Sequence, residues 1–516
     1  MSRTAKLLLA PVLLVQALFF TWVALHRFID GDEGHYLLAS RLVLMHRRPY
    51  LDFFYNQAPL LPYIYALWMK YTAVSWNSAR IFSVLLTTLL GVLLYEHVCR
   101  QTRSWIAGLL AVVLFASSTL VFAWFTVVKT HSLAGLFLFC AYLVVSQPSR
   151  AFQRWVIVAA AALLGLSADI RSYLLLLIPV FVWWIFHNSE MGTRLTSILW
   201  FLGGFTIGIA PSLIFFISSP DVFLFDNLRY HGIRSNQGLI GWWQEKLVVF
   251  LQLFLGGRDG NGLQWSILFL VSLGFLSAMP KRAYPPRLAF QIACFLAIIG
   301  LLPTPTYLQY FCLCVPFLIV SAVCVVSELF ARLESRRERL ITAIACVAVL
   351  GAYLAVSVSD FRNYLITGNG VPGVQPALDR GDWRLQRVIE VSQAVDQIAC
   401  PGELVASFWP GDIFQTDADP LPGLENPFAL PISEELTSQQ RVRYHIISPT
   451  EIESDFASHR PRVVVLRNQI LSAVTAEELK RMQRLSDTFR SSLNVHGYKL
   501  VRSIGGISIY DCCAKQ

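Results

Sequence analysis

Asp32 and Glu33 stand side by side directly after the first long apolar run, within the stretch GDEGHYLLASRLVLMHRRPYLDFFYNQAPLLP of residues 31–62. Carboxylates fixed where a hydrophobic span should leave the bilayer suggest chemistry at that interface. In a helix beginning near Asp32, residues three and four further on share its face, so His35 and Tyr36 flank Asp32 while Glu33 points about 100° away. One carboxylate can then face a reaction cavity while the other anchors the loop. The plain alternative is that Asp32 caps a surface helix and Glu33 adds negative charge to its first turn.

Cationic candidates lie at other connections between apolar runs. Lys129 sits where the third and fourth runs meet, and Arg171 follows Asp169 between the fifth and sixth. The fifth and sixth runs are short for a bilayer, which recesses their turn into the membrane. An ionisable group at that depth marks a functional site, unless Lys129 merely snorkels or Arg171 and Asp169 form a local ion pair. The loop at 220–246 adds Arg229, Tyr230, His231 and Arg234. His231 could ligate a metal, orient an acceptor or meet lipid head groups; no second ligand stands at a fixed spacing from it. Tyr307, Gln309 and Tyr310 occupy a further turn, as interfacial aromatics or as part of a lipid groove. Asp417-Ala-Asp419 matches the Asp-x-Asp metal motif of nucleotide-sugar transferases, but so short a pattern, beside Pro420 and Pro422, reads as loop. The glycines of GGRDGNG at 256–262 do not have phosphate-cradling spacing, and the chain has no P-loop, GxGxxG or HExxH pattern.

The elements that must position these residues follow from composition. Of 516 residues 55% are hydrophobic and only 15% charged, more apolar surface than a water-soluble domain can bury. The chain reads as a polytopic α-helical membrane protein with about eleven spans, at residues 7–25, 79–98, 105–127, 132–145, 155–168, 173–186, 195–218, 263–279, 288–302, 307–327 and 340–358. The run at 247–255 is too short to cross and reads as interfacial. Basic residues cluster in alternate loops: Arg100 and Arg103, Arg150 and Arg154, Arg194, Lys281 with Arg282 and Arg287, and Arg332 with Arg336, Arg337 and Arg339. They mark the cytoplasmic side, which makes the N-terminus cytoplasmic and the Asp-Glu loop and C-terminal region extracytoplasmic. The net charge of +9 is mostly this topology signal, so nucleic acid is not an expected partner. The first apolar run has no small-residue cleavage site after it and reads as a retained span.

Two parts are expected: a membrane domain over 1–358, with an ordered first outer loop at 26–78, and an extracytoplasmic α/β domain over 359–516. In the latter, β-type runs at 403–409, 462–466, 499–504 and 506–510 alternate with helical patterns at 383–398 and 476–493. In the first loop Leu38, Leu42 and Met45 fall on one helical face, which lays residues 33–45 along the membrane surface. Cys400, Cys512 and Cys513 are the cysteines of the outer domain, and in an oxidising compartment Cys400 could bridge to either of the adjacent pair or all three could stay free.

The run DEGHYLL, the Arg48-Pro49-Tyr50 step and DFFYNQAPLLPY together resemble the first outer loop of the C-type glycosyltransferase superfamily, in particular the bacterial relatives of protein O-mannosyltransferases and of the lipid A aminoarabinose transferase. LRYHGIRSN and TPTYLQYF are weaker echoes. The resemblance implies a multi-span enzyme that uses a polyprenyl-phosphate-linked sugar, with Asp32 and Glu33 catalytic and His35, Tyr36, Tyr55, Gln57, His231, Tyr307 and Gln309 contacting donor or acceptor. The aminoarabinose transferases have a Lys-Pro step where this chain has Gln57, Ala58 and Pro59, so a phosphate contact must come from elsewhere: Lys129, Arg171, Arg229 and Arg234 are the candidates.

Chemistry points the same way. A lipid-borne donor suits a compartment without nucleotide sugars, and its leaving phosphate is already an anion that needs no proton. Where a glycoside hydrolase needs an acid and a base, one base for the acceptor hydroxyl suffices here, together with positive charge for the phosphate. The expected activity is transfer of that sugar to an envelope acceptor, glycolipid, glycan or protein, at the outer face of the cytoplasmic membrane. Asp32 is the base, and Glu33 supports it or shares a divalent metal with it; no cofactor is fixed by the sequence. The alternative is a flippase or transporter of lipid-linked glycan, for which the same recessed charges would line a path.

The topology makes a direct prediction. In intact cells an alkaline phosphatase fusion placed after Gln516 is active and one placed near Arg337 is inactive; the reverse pattern overturns the assignment of sides.

Overall fold

A computed structural model describes residues 3–146, 153–234, 238–256, 262–276, 285–368, 371, 380–467 and 476–514. It is mostly helical, with a small sheet near the C-terminus. The cytoplasmic-side candidates Arg150, Lys281 and Arg282 lie outside the described residues, as does the centre of the GGRDGNG turn. By contact the chain divides into two units, one of Met1–Ala24, Ser83–Pro211 and Gln237–Asn363, the other of Leu25–Phe82, Ser212–Asn236 and Tyr364–Gln516. The first outer loop thus groups with the C-terminal region.

The first unit is built from apolar helices, because a helix satisfies its own backbone where lipid offers no partners. Among the described residues four helices are long and apolar enough to cross a membrane, two more helices form one pair bent by 66° at Met191–Gly208 and Ala210–Ser218, and six shorter apolar helices accompany them. Each of the eleven runs read as spans overlaps one of these helices, and the protein is a multi-pass membrane protein. The run expected at 105–127 is not continuous. Its helix Trp105–Ser117 ends at Ser118, a four-residue turn Thr119–Phe122 follows, and the chain is irregular until Thr130. Such backbone is tolerated at membrane depth only where protein supplies the partners. Here Gln264 Oε1 accepts from the Thr119 N–H at 2.8 Å, Asp360 Oδ2 from the Thr119 hydroxyl at 2.7 Å, and the Thr87 hydroxyl donates to the Phe125 carbonyl at 2.7 Å. Lys129 ends this segment. The run at 247–255 is the end of an 18-residue helix, Gly238–Leu255.

In the second unit the helix Gly31–Leu44 begins one residue before Asp32. Its cap is Asp30, whose Oδ1 accepts from the Asp32 N–H at 3.0 Å, while Glu33 Oε1 reaches back to the Asp30 N–H at 3.0 Å. This is a capping box, so neither member of the carboxylate pair is the cap. The helix buries more than the face of Leu38 and Leu42. It is buried nearly throughout, because polypeptide covers the opposite face as well: the Trp409 indole donates to the Gly31 carbonyl at 2.8 Å, and Arg41 donates to the carbonyls of Ile413 at 2.8 Å and Ala418 at 2.6 Å. At Gly34 the backbones approach so closely that a Cβ would stand 2.5 Å from the Gly411 nitrogen.

Glu33 is completely buried and held by Arg80, whose Nη2 lies 2.6 Å from Oε1 and whose Nε lies 2.9 Å from Oε2; the Arg27 guanidinium adds a contact at 3.8 Å. Arg80 also donates to the Arg27 carbonyl at 3.0 Å. One helix start and two chain segments are thereby tied to a single carboxylate.

The sheet has the order β2 (Asp419–Pro420), β1 (Leu404–Ser407), β3 (Val463–Arg467), β5 (Ile507–Asp511), β4 (Lys499–Ile504). β1 runs parallel to β2 and β3, and β5 runs antiparallel to β3 and β4. The expected strands and the helices at Leu385–Asp396 and Ala476–Val495 are present; β2, two residues long, carries no sequence signal. Phe408, Phe456, Phe489, Leu493 and Val464 fill the core between sheet and helices. All ten cysteines are free: Cys400 faces the Arg462 guanidinium at 3.8 Å, and the sulfurs of Cys512 and Cys513 lie 3.1 Å apart.

Removing Arg80 leaves a buried anion short of its main partner. Arg80→Met costs about 3–5 kcal/mol, read as a fall in melting temperature of the purified protein, and Glu33→Leu combined with Arg80→Leu recovers a large part of that loss. A melting temperature unchanged in Arg80→Met would show that the pair does not hold the loop.

Candidate functional site

Each unit contains one cluster of the residues singled out above. In the second unit it forms around Asp32, which is half-buried in the first turn of Gly31–Leu44. With Glu33 drawn to Arg80, the helical spacing turns Asp32 to a different side, toward His35 and Tyr230, both close enough for its charge to act on their ionisation. His35 is buried, and burial lowers its pKa to about 4 against the pull of Asp32 and of Asn56 beside it. It is therefore a neutral ring at neutral pH, stacked on Tyr55 with centroids 5.2 Å apart and with Tyr36 at 5.4 Å.

Tyr55 and Asn56 are fixed by distant partners. Asp226 Oδ2 accepts from the Tyr55 N–H at 3.0 Å, His231 Nε2 donates to the Asn56 carbonyl at 3.1 Å, and the Asn426 amide donates to Asn56 Oδ1 at 3.2 Å. Burial lowers the His231 pKa to about 4 as well, so it enters this bond as the neutral ring protonated on Nε2. The Tyr230 hydroxyl donates to the Phe428 carbonyl at 3.0 Å, and the Arg234 guanidinium lies 5.9 Å from the Phe428 ring. The Tyr50 hydroxyl donates to the Gln57 carbonyl, and Gln57 itself is half-exposed.

Asp32, His35, Tyr36, Tyr55, His231 and Arg234 thus come together. Arg229 does not join them. It pairs with Asp221 at 2.9 Å, in an exposed cluster that also takes Arg443 at 3.1 Å and the Tyr444 hydroxyl at 3.0 Å. Glu33, expected as a partner in catalysis or metal binding, is instead wrapped by two guanidiniums. That environment supplies the positive charge that a metal would bring. Among the described residues, the side chains close enough to share a metal ion are Asp511, Cys512 and Cys513, far along the chain from this loop. Asp417-Ala-Asp419 serves local structure: the Asp417 N–H donates to Asp396 at 3.0 Å, and Arg47 lies 3.7 Å from Asp419 and 3.8 Å from Glu425.

In the first unit Lys129 is buried rather than snorkelling. Its ammonium donates to Gln309 Oε1 at 2.9 Å and lies 4.9 Å from the Trp124 ring. Arg171, also buried, donates to the Thr130 hydroxyl at 2.5 Å and sits between the rings of Tyr173 at 4.6 Å and Tyr310 at 4.9 Å. Tyr307 packs against Tyr310 with centroids 5.8 Å apart. The segment carrying these aromatics is pinned by Lys246, which donates to the Thr304 hydroxyl at 3.0 Å and also to the Pro303 carbonyl and Thr306 hydroxyl. Lys129, Arg171, Gln309, Tyr307 and Tyr310 therefore share one polar, aromatic-walled environment inside the helical unit.

Sequence reasoning missed Asp226, Asn56 and Asn426 in one cluster, and Trp124, Thr130 and Tyr173 in the other. Asp226 had a detectable signal only toward Tyr230, which it precedes by four residues, about one helical turn.

The comparisons with known proteins follow this geometry. Residues 56–216 match the family model of dolichyl-phosphate-mannose-protein mannosyltransferase. No curated protein sequence matches the chain. The fold is similar to that of ArnT from Cupriavidus metallidurans bound to undecaprenyl phosphate, with a TM-score of 0.62 and 14% identity over 100% of this chain and 99% of that one. The same protein in the apo state gives a TM-score of 0.64 at 13% identity, covering 99% of each chain. The oligosaccharyltransferase of Archaeoglobus fulgidus, in complex with zinc and sulfate, gives 0.52 at 14% identity over 97% of this chain and 73% of that one. The matched stretch and the shared fold together support the C-type superfamily of polyprenyl-phosphate-sugar glycosyltransferases. Within that class they support a glycosyltransferase that works with lipid-linked sugar in general terms.

Proposed function

We propose that the protein transfers a sugar from a polyprenyl-phosphate donor to an acceptor hydroxyl of the cell envelope, on a glycolipid, glycan or protein, at the outer face of the cytoplasmic membrane. The observation that carries this reading is the division of labour in the Asp32-Glu33 pair: Glu33 is consumed by Arg80, while Asp32 stays half-buried beside neutral His35 and Tyr230. The acceptor oxygen attacks the anomeric carbon, the bond from that carbon to the phosphate oxygen breaks, and the electron pair leaves with the polyprenyl phosphate. Asp32 takes the acceptor's proton as general base. Lys129 and Arg171 hold the phosphate as its charge grows, with the surrounding rings keeping water away from both cations. Gln309 orients Lys129, and Tyr55 and Asn56 back His35. Support from relatives is general: the matching family model bears the name of a lipid-phosphate-mannose-dependent transferase, and ArnT has been crystallised with undecaprenyl phosphate.

The phosphate role predicts that Arg171→Gln or Lys129→Gln slows transfer on the order of 10²-fold, with little change in protein abundance. Wild-type rates in both variants would place the phosphate elsewhere, with Arg234 the next candidate.

Asp32→Asn keeps size and polarity but removes basicity. Transfer from a synthetic polyprenyl-phosphate sugar by the purified variant drops by roughly 10²- to 10⁴-fold at unchanged melting temperature. A folded Asp32→Asn protein that retains more than about a tenth of its activity excludes the general-base role.

A further inference from the structure

Two hydrogen bonds of opposite sense grip the peptide groups of Tyr55 and Asn56 from a single short element. Asp226 accepts from the Tyr55 N–H at 3.0 Å, and His231 donates to the Asn56 carbonyl at 3.1 Å. Residues five apart in an α-helix point about 140° away from one another at 100° per residue, so an ordinary helix could not turn both toward one short stretch of backbone. The chain solves this with a π turn at Phe225–Arg229, where the Tyr230 N–H bonds back to the Phe225 carbonyl five residues earlier. Wider turns of this kind bring positions five apart onto one side, and they recur at functional sites.

The grip has consequences for the reaction. The Tyr55 ring, set by the clamped backbone, is the surface on which His35 stacks at 5.2 Å, and His35 lies beside Asp32. Tyr230, between the two clamping residues, also faces Asp32 and donates to the Phe428 carbonyl at 3.0 Å. We propose that Asp226 and His231 are positioning residues for sugar transfer: they clamp the Tyr55-Asn56 backbone and so hold His35 against the base. This rests on the glycosyl-transfer reading above. Burial holds the Asp226 carboxyl well above the usual carboxylate range, against the bond from the Tyr55 N–H, so the clamp works with a neutral acceptor and an amide can replace it.

The test uses the full-length protein in detergent or nanodiscs. Asp226→Leu removes the acceptor, and Asp226→Asn restores a neutral one. Hydrogen exchange at the Tyr55 amide accelerates in Asp226→Leu and returns toward wild type in Asp226→Asn. In parallel, kcat falls about tenfold or more in Asp226→Leu while KM for the donor stays within about twofold, and the Asn variant recovers most of kcat. Should Asp226→Leu fail to fold, His231→Phe and His231→Gln form the same contrast, because a glutamine amide can donate to the Asn56 carbonyl. Equal losses in the conservative and disruptive variants, or unchanged exchange and kcat in the disruptive ones, overturn the proposal. Absence of any transfer by the wild-type protein instead sinks the glycosyl-transfer reading and the catalytic role with it, while the exchange measurement alone still decides whether the clamp exists.

Discussion

The arrangement of the loop that bears Asp32 depends on one buried charge. Glu33 has no exposure to solvent and is met by Arg80 through two short hydrogen bonds and by Arg27 at 3.8 Å. An ion pair of this kind adds little net stability, since desolvation cancels most of the attraction, but its geometry is demanding and a misplaced partner is costly. It therefore fixes direction. With Glu33 pulled toward Arg80 and with Asp30 closing the capping box, the rotation of the helix Gly31–Leu44 about its own axis is determined, and Asp32 cannot share the environment of its neighbour. Two adjacent carboxylates, alike in sequence, are separated into an anchor and a reactive candidate by where the helix faces.

What was legible in the sequence was whatever depends on local spacing. Apolar runs near the length of a bilayer crossing are self-announcing, and each overlaps a helix even where, as at 105–127, the helix ends early. The grouping of His35 and Tyr36 with Asp32 follows from three- and four-residue spacing alone. Long-range partners carry no such signal. Arg80 lies 47 positions after Glu33, and Gln309 lies 180 positions after Lys129, so neither pairing could be read from a pattern. The packing of the helix Gly31–Leu44 carries no signal for the same reason: Arg41 donates to the carbonyls of Ile413 and Ala418, 372 and 377 positions away. Arg229 and Arg234, equivalent by composition, are told apart by an acidic residue, Asp221, that captures the first. The break at Ser118 stayed hidden because its compensating partners, Gln264 and Asp360, come from other helices.

The basic groups of the helical unit are set against aromatic rings. Arginine remains charged under almost any condition, and aromatic faces stabilise a cation without contributing a proton acceptor. Arg171 lies between two tyrosine rings, and Lys129 over a tryptophan with an amide as its hydrogen-bond partner. Such contacts hold a cation in position without adding a charge of their own.

The neighbourhood of Asp32 follows a complementary logic. Burial brings the pKa of both His35 and His231 down to about 4, so neither ring carries charge at neutral pH, and Asp226 is pushed by burial toward its neutral acid. A carboxylate next to imidazolium would be held in its anionic form and would give up basicity, since an adjacent positive charge lowers its affinity for a proton. Neutral rings and a neutral acid fix the geometry without that electrostatic cost. The clamp on Tyr55 and Asn56 is likewise made from a histidine and a buried acid rather than from arginine: it supplies one donor and one acceptor and sets the backbone without adding a charge of its own beside Asp32.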